Sequence, residues 1–290
     1  MKIFLTGQEG FIGREILRQA RQAGHEVLGL EKPFRMANPP WEEIAAFAPD
    51  ICIHSAWIAT PGEYTTSPLN TLHRRWSVDL IKGLAKSGVA HFVVMGTCAE
   101  YAASVAPLNE EGSPLNPPSL YAREKAALHH DLIKLEKELG FTLSWARIFY
   151  PYGPEEHPQR LISSLVRGWK TGNPLHLINP ESVRDYIHVE DVATALLVIA
   201  EQRIAGAVNV GTGTGVRLGE MDSLIRERMG IPHEVVFSPM ESSGLNDSVV
   251  ADSKKLKSLG WKPRYDIKSG INSFFKIDNR ESNQFPHPVR

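Results

Sequence analysis

The chain opens on a short apolar run, Lys2–Leu5, and passes at once into Thr6-Gly7-Gln8-Glu9-Gly10-Phe11-Ile12-Gly13. Three glycines in a Gly-x-x-Gly-x-x-Gly spacing then lead a segment of helical periodicity, Arg14–Ala23, which stops at Gly24. No other feature restricts the fold as strongly. The first glycine permits a tight turn, the second lets a pyrophosphate approach the backbone, and the third lets a helix pack close on the strand. A helix beginning there offers unpaired N–H groups and a partial positive charge to a phosphate. A glycine triplet alone is a weak signal. The strand before it and the helix after it make Gly7, Gly10 and Gly13, with the backbone of Phe11 and Ile12, candidate dinucleotide-binding residues.

The same alternation continues. Glu26–Leu30, Asp50–His54, His91–Met95 and Thr142–Ile148 read as strands. Ser77–Lys86 reads as a helix ending at Gly88, and Ser119–Leu139 as a long helix led by Pro117-Pro118 and stopped by Gly140. Strands alternating with helices predict an α/β fold with a doubly wound parallel sheet. From about Pro151 the texture changes, with Pro, Gly and His breaking any steady period. Asp191–Glu201 and Ala207–Val210 are read as a helix and a strand that return to the main sheet. Met221–Ser273 is read as short helices and loops. The division expected is therefore 1–150 as a dinucleotide-binding domain rejoined by 189–212, a smaller mixed lobe from 151–188 and 213–275 at the carboxyl edge of the sheet, and a frayed polar tail 276–290.

Composition excludes other classes. Lys plus Arg total 32 against 33 for Asp plus Glu, a net charge of -1, so nothing marks a nucleic-acid or anionic-membrane partner. Two cysteines, Cys52 and Cys98, make neither a disulfide framework nor a zinc cluster, and no metal is expected. The longest apolar stretch, around Val192–Ala200, falls far short of the ~20 residues of a spanning helix. The opening apolar run is too short for a signal-peptide core. The expected setting is a reducing, cytoplasmic compartment.

Two further positions bear on cofactor and chemistry. Glu31 closes the second strand, where a carboxylate accepts hydrogen bonds from a ribose diol and repels a 2′-phosphate. This favours NAD(H), while Lys32 and Arg35 nearby keep NADP(H) open. Tyr121-Ala122-Arg123-Glu124-Lys125 places a tyrosine and a lysine on one helix face. A phenol titrates near ~10, and an adjacent ammonium is expected to lower that value and fit it for proton transfer to or from a reacting oxygen. Thr97, just past the fourth strand, is the candidate hydroxyl that hydrogen-bonds the same oxygen.

Thr6–Gly13, Glu31, Thr97 and the pair Tyr121 and Lys125 resemble the extended short-chain dehydrogenase/reductase family, the NAD-dependent epimerases and dehydratases. Arg184-Asp185-Tyr186-Ile187-His188-Val189-Glu190-Asp191-Val192-Ala193, Arg147–Pro154 and Asn209–Gly213 resemble further signatures of that family, and the likeness runs from residue 1 to about residue 275. It implies a Rossmann sheet with a C-terminal substrate lobe, and nucleotide-sugar chemistry. Thr97, Tyr121 and Lys125 would be catalytic. Ala56, Tyr121, Lys125 and Tyr150 would join the glycine loop, Glu31 and Lys32 in holding the cofactor. Thr97, Cys98, Tyr121, Tyr150 and Arg184 would contact the substrate, with the Arg184 guanidinium on the diphosphate. A homodimer built on the Ser77–Lys86 and Ser119–Leu139 helices is also implied. The chain departs from the family pattern twice. The stretch from Glu31 to Asp50, with Pro39-Pro40, lacks a further acid for the adenine, and Tyr150 stands where relatives often carry Asn.

The residues after Thr97 narrow the reaction. The family's 4,6-dehydratases place Asp-Glu there, whereas this chain has Cys98-Ala99. Cys98 and His157 are the conceivable bases for ring epimerisation, but a packed thiol and a loop imidazole are the commoner roles. The leading expectation is reduction of the C4 keto group of a nucleoside-diphosphate 4-keto-6-deoxysugar with NAD(P)H, Tyr121 acting as general acid. A nucleotide-sugar 4-epimerase is the runner-up. A catalytically idle dinucleotide-binding regulator is the alternative of another class. Trp57 is read as a wall of the sugar pocket or as core packing, Trp145 and Trp261 as packing, and His129-His130 as structural or solvated helix residues.

Overall fold

The computed structural model describes residues 1–30, 36–232 and 248–276. Glu31, Lys32 and Arg35, together with the tail from 277 onward, lie outside the described residues. In chain order the elements are β1 (Lys2–Thr6), α1 (Phe11–Gln22), β2 (Glu26–Leu30), α2 (Trp41–Phe47), β3 (Ile51–His54), α3 (Leu69–Lys86), β4 (His91–Thr97), α4 (Leu120–Leu139), β5 (Thr142–Ile148), β6 (Tyr150–Tyr152) and α5 (Leu161–Lys170). There follow β7 (Val183–Arg184), β8 (Tyr186–His188), α6 (Val189–Glu201), β9 (Gly206–Val210), β10 (Val216–Arg217), α7 (Leu218–Met229), β11 (Ser248–Val249), α8 (Lys254–Ser258) and α9 (Ile267–Lys276).

Six strands form one parallel sheet in the order β2-β1-β3-β4-β5-β9. Its inner strands β1, β3, β4 and β5 are buried on both faces, which is why they read as nearly unbroken apolar runs. Alternate residues feed opposite cores. Ile3, Leu5, Ile51, Ile53 and Val93 join α1 and α6 on one side, while Phe4, Cys52, Phe92 and Val94 join α3 and α4 on the other. The parallel register brings Thr6 level with His54, and Thr97 level with Ile148, at the carboxyl ends of their strands. Ligands bind at that edge of such sheets. The helix and strand expected to return, α6 and β9, do so: β9 pairs with β5.

A smaller lobe follows. β7 pairs antiparallel with β10 and parallel with β11, and β6 pairs parallel with β8. Tyr152, Ile162, Leu165, Met221, Ile225 and Ile271 are among the residues of its own core. Its strands are two or three residues long, too short for a period-2 pattern to show in the sequence. Two other differences have physical causes. α3 begins at Leu69, ahead of the expected Ser77, because its first turns bury Asn70, His73 and Ser77, and buried polar residues hide a helical stripe. α2 was not expected. It follows Pro39-Pro40, buries Ile44, and ends on Ala48 in the left-handed region at φ 49°.

Candidate active site

The glycine loop packs as its spacing requires. Gly7 has φ +74°, and a Cβ there would stand 2.8 Å from the Ala56 nitrogen. A Cβ at Gly13 would run into the Gly7 carbonyl oxygen, so the start of α1 lies directly on the turn. The Gly10 N–H donates to Gly7 O at 2.9 Å and closes the turn. Gly10 is the N-cap of α1, and no side chain caps the helix. The N–H groups of a helix's first turn have no partner within the helix. A cavity of about 820 Å³ opens beside them.

That cavity runs along the carboxyl edge of the sheet. Gly7, Gly10, Phe11, Ile12, Gly13 and Ala56 line one end, and Thr97, Cys98, Tyr121 and Lys125 line the middle. Tyr150, Glu156, His157 and Arg160 line the side contributed by the smaller lobe. Every candidate site residue among the described ones thus borders one space, except Arg184. The Arg184 guanidinium sits 5.5 Å from the ring centre of Tyr150, behind that wall, and donates to the Val183 carbonyl at 2.9 Å.

Thr97 ends β4 and caps the single turn of 3-10 helix that follows, Cys98–Glu100. Its hydroxyl oxygen accepts the Ala99 N–H at 3.2 Å, while the Glu100 carboxylate accepts the Thr97 N–H at 2.9 Å. This reciprocal box fixes the Thr97 rotamer. The Thr97 hydroxyl and the Tyr121 phenol both border the cavity. Tyr121 stands in the first turn of α4, a helix capped by Ser119, whose Oγ accepts the Ala122 N–H at 3.1 Å. The Tyr121 N–H donates to Thr65 O at 3.2 Å, and the Tyr64 ring meets the Tyr121 ring edge-on at 5.0 Å.

Lys125 lies one turn further along α4 and is buried. Its Nζ donates to Met95 O at 2.8 Å and stands 3.9 Å from the ring centre of Trp57. Burial draws its pKa down to about 7, opposed by the charge of Glu100. The Tyr121 phenol moves the other way: burial pushes it well above its ordinary value, and the Thr97 hydrogen bond pulls it only part of the way back. This reverses the expectation that Lys125 lowers the phenol's pKa. The ammonium is committed to a carbonyl and an indole face, and desolvation of the phenolate outweighs the rest.

Beneath Thr97 lies a network that the reading of single motifs missed. Glu100 is fully buried and accepts hydrogen bonds from Trp145 Nε1 at 3.1 Å and Arg147 Nε at 2.9 Å. Arg147 Nη1 donates to the Tyr101 hydroxyl at 3.0 Å, which donates to Asn209 Oδ1 at 2.8 Å. The Thr-x-x-Glu pattern of Thr97-Cys98-Ala99-Glu100 carried the signal, as a capping box. Asp185 is a second buried anchor. Its carboxylate accepts the N–H groups of Thr212, Gly213 and Ala251 at 2.9, 2.9 and 3.2 Å and the Thr212 hydroxyl at 2.6 Å, tying Gly211–Gly213 to the strand that carries Arg184.

Other titratable residues fall into place by burial. The Cys98 thiol is pushed up to about 12. Glu156 is raised to about 7, with Oε1 accepting the Ser163 N–H at 2.8 Å. His157 accepts the Gln159 N–H on its own loop at 3.2 Å. His129 stacks on Trp145 at 4.6 Å, and Trp145 and Trp261 are buried packing residues. Among the described residues no group of His, Cys, Asp and Glu could hold a metal ion, and no helix is long and apolar enough to cross a membrane.

The family model described as "NAD dependent epimerase/dehydratase family" matches residues 3–211, most of the chain. The protein belongs to this family. Among epimerase/dehydratase family relatives, a UDP-glucuronic acid decarboxylase 1 from Xenopus tropicalis is 25% identical over 323 residues, covering 100% of this chain and 76% of its own length. A probable GDP-L-fucose synthase 1 from Oryza sativa subsp. japonica is 26% identical over 314 residues, covering 95% and 91%. A solved structure of UDP-glucose 4-epimerase from Thermus thermophilus, in complex with NAD, has a TM-score of 0.79 and 25% identity over 95% of this chain and 99% of its own.

The residues present fit the family's cofactor. An uncapped first turn, a Gly10 whose missing Cβ would have only the Gly7 oxygen near it, and a cavity reaching from there to Tyr121 make a cradle for a dinucleotide. The chain is thus an NAD-dependent enzyme of the epimerase/dehydratase family, and its relatives act on nucleotide sugars by more than one chemistry.

Proposed function

We propose that the protein is a cytoplasmic oxidoreductase that reduces the C4 keto group of a nucleoside-diphosphate 4-keto-6-deoxysugar with NAD(P)H. The convergence of Thr97, Tyr121 and Lys125 on the cavity that the uncapped start of α1 also borders carries this reading. NAD(P)H, when bound, supplies the hydride. Tyr121 delivers its phenolic proton to O4 as charge builds there, and Thr97 orients that oxygen by a hydrogen bond. Burial keeps Tyr121 protonated at neutral pH, the form that a general acid requires. Lys125 holds the nicotinamide ribose. Gly7, Gly10, Phe11, Ile12 and Gly13 hold the pyrophosphate, with Ala56 and Tyr150 along the cofactor and Glu31 on its ribose diol. The 151–188 and 213–275 lobe takes the nucleotide and sugar, with Arg184 on the diphosphate and Cys98 and Tyr150 beside the sugar.

The residues after Thr97 support reduction over elimination. Loss of water beside a 4-keto group needs an acid and a base next to the ring. Ala99 has no titratable group, and the Cys98 thiol, raised to about 12, holds its proton too tightly to act as a base near neutral pH. A C4 epimerase is the second reading, favoured by the NAD-bound 4-epimerase from Thermus thermophilus among similar structures. In that case Tyr121 would take the O4 proton and later return it. Incubation with NADH and nucleoside-diphosphate 4-keto-6-deoxysugars separates the two. Stoichiometric NADH oxidation supports the reductase. Inversion at C4 of a nucleotide sugar without net NADH consumption supports the epimerase. NAD binding with neither outcome would leave only a regulator. The same family likeness pairs two copies through α3 and α4, which light scattering tests as twice the mass of one chain.

A further inference from the structure

Trp57 follows β3, lines the cavity, and packs against the core beneath α3. Its indole is fixed from several sides. Nε1 donates to Asn70 Oδ1 at 2.7 Å, and the buried Asn70 amide donates in turn to the carbonyls of Tyr64 and Ser67 at 2.7 and 2.8 Å. The His73 ring lies 5.5 Å from the indole, with Trp76 beyond it at 5.5 Å. Over this pinned ring stands the Lys125 ammonium, 3.9 Å from the centroid. Its other anchor is Met95 O at 2.8 Å, and among the described residues no carboxylate lies within ion-pair distance of it.

We propose that Trp57 is a positioning residue: its π face holds the Lys125 ammonium in place and keeps it charged at the floor of the cofactor cavity. The inference rests on the reading of Lys125 given above. A desolvated ammonium over an indole gains from the ring quadrupole what water no longer supplies. The other titratable groups facing Lys125 are Glu100 beyond β4, His54 on β3, His73 on α3 and Tyr121 on its own helix. Glu100 favours the ammonium. Burial lowers His54 to about 3 and His73 to about 4, so both are neutral near pH 7, and the raised Tyr121 phenol is neutral too. Burial draws Lys125 toward about 7, and a ring face under the ammonium works against that pull. Asn70 matters because an untethered indole could turn its edge to the charge.

The test is a carbon-13 NMR titration of lysine Cε in the full chain, with NAD⁺ added, the Lys125 resonance being assigned by its loss in Lys125→Met. Trp57→Met keeps the apolar bulk without the ring face and is expected to move the Lys125 midpoint acidward by roughly one pH unit, a tenfold change in acidity. Trp57→Phe keeps a face and should restore most of the difference. Biosynthetic 5-fluorotryptophan, which weakens the face without changing the packing, should move the midpoint the same way by less, and it decides the matter if Trp57→Met does not fold. An unmoved midpoint in the fluorinated or the Met-substituted chain, or Trp57→Phe displaced as far as Trp57→Met, would overturn the proposal. In the turnover assay the alkaline limb of kcat should follow the NMR midpoint. A displaced midpoint in a chain that oxidises no NADH would count against the functional reading and still establish the coupling of Trp57 to Lys125.

Discussion

The Arg147 Nε donates to the Glu100 carboxylate at 2.9 Å, and both side chains are shut away from solvent directly behind the strand end that carries Thr97. Removing one partner of a buried ion pair leaves an uncompensated charge. Glu100→Ala should therefore lower stability by about 3–5 kcal/mol in urea denaturation. Thr97 also loses the acceptor for its N–H, so kcat should fall along with stability. Glu100→Gln keeps an oxygen for that N–H and should lie between the two. A denaturation midpoint for Glu100→Ala equal to that of the unaltered chain would show that the pair contributes nothing.

Tyr121→Phe deletes one hydroxyl and leaves the ring against Tyr64. Turnover should fall by roughly 10²–10⁴-fold, the usual worth of a general acid. NAD binding, followed by calorimetry, should be nearly unchanged. Retained turnover would remove Tyr121 from the mechanism.

The glycines of the first loop should separate packing from binding. Gly13→Ala drives a Cβ into the Gly7 carbonyl, so the chain should be strongly destabilised or fail to fold. At Gly10 a Cβ would come no closer than 3.2 Å to that same oxygen. Gly10→Ala should therefore melt within a few degrees of the unaltered chain while its NAD affinity drops at least tenfold (about 1.4 kcal/mol), because the methyl occupies the approach of the pyrophosphate. Equal NAD affinity in Gly10→Ala would refute the cradle.

Glu156 gives a pH signature. Burial raises its folded-state pKa from 4.5 to about 7, so the folded chain holds this proton more tightly than the unfolded chain does. Its contribution is fully present below about pH 4.5 and is lost as pH rises through about 7. Glu156→Gln, which keeps an acceptor for the Ser163 N–H, should match the unaltered chain at pH 4 and exceed it at pH 8 by roughly 3 kcal/mol. Parallel stability curves across that range would show that Glu156 does not carry the shift.

Much of this architecture was legible in the chain itself. β5 spans Thr142–Ile148 as read, and α4 spans Leu120–Leu139 with Ser119 as its cap, because both segments are long, periodic and bounded by their own breakers. The borders of α3 and the short strands of the smaller lobe were not legible. Asn70 accepts from the Trp57 indole, His73 packs its ring on the same indole, and Ser77 pairs with His54, contacts back to β3 and the loop after it that no local pattern records. Of the candidate site, Gly7, Gly10, Gly13, Tyr121 and Lys125 were singled out from spacing and Thr97 from its place at a strand end, and all six border one cavity. Glu100 and Trp57 acquire their meaning only from what stands beside them.

The order of the chain determined that strands would alternate with helices, that a glycine turn would open the first helix without a capping side chain, and that Tyr121 and Lys125 would share one helix face. Those are properties of short stretches, set by turn sterics and side-chain period. Folding decided how charge and water are arranged around them. It turned the Lys125 ammonium onto Met95 O and the Trp57 face, raised the Tyr121 phenol where proximity to lysine alone would have lowered it, and set Arg184 behind Tyr150 rather than in the cavity wall. The physical reason is that desolvation and through-space charge depend on every group that packs around a site, and those groups converge from β3, β4, α3 and α4 only once the sheet is closed over.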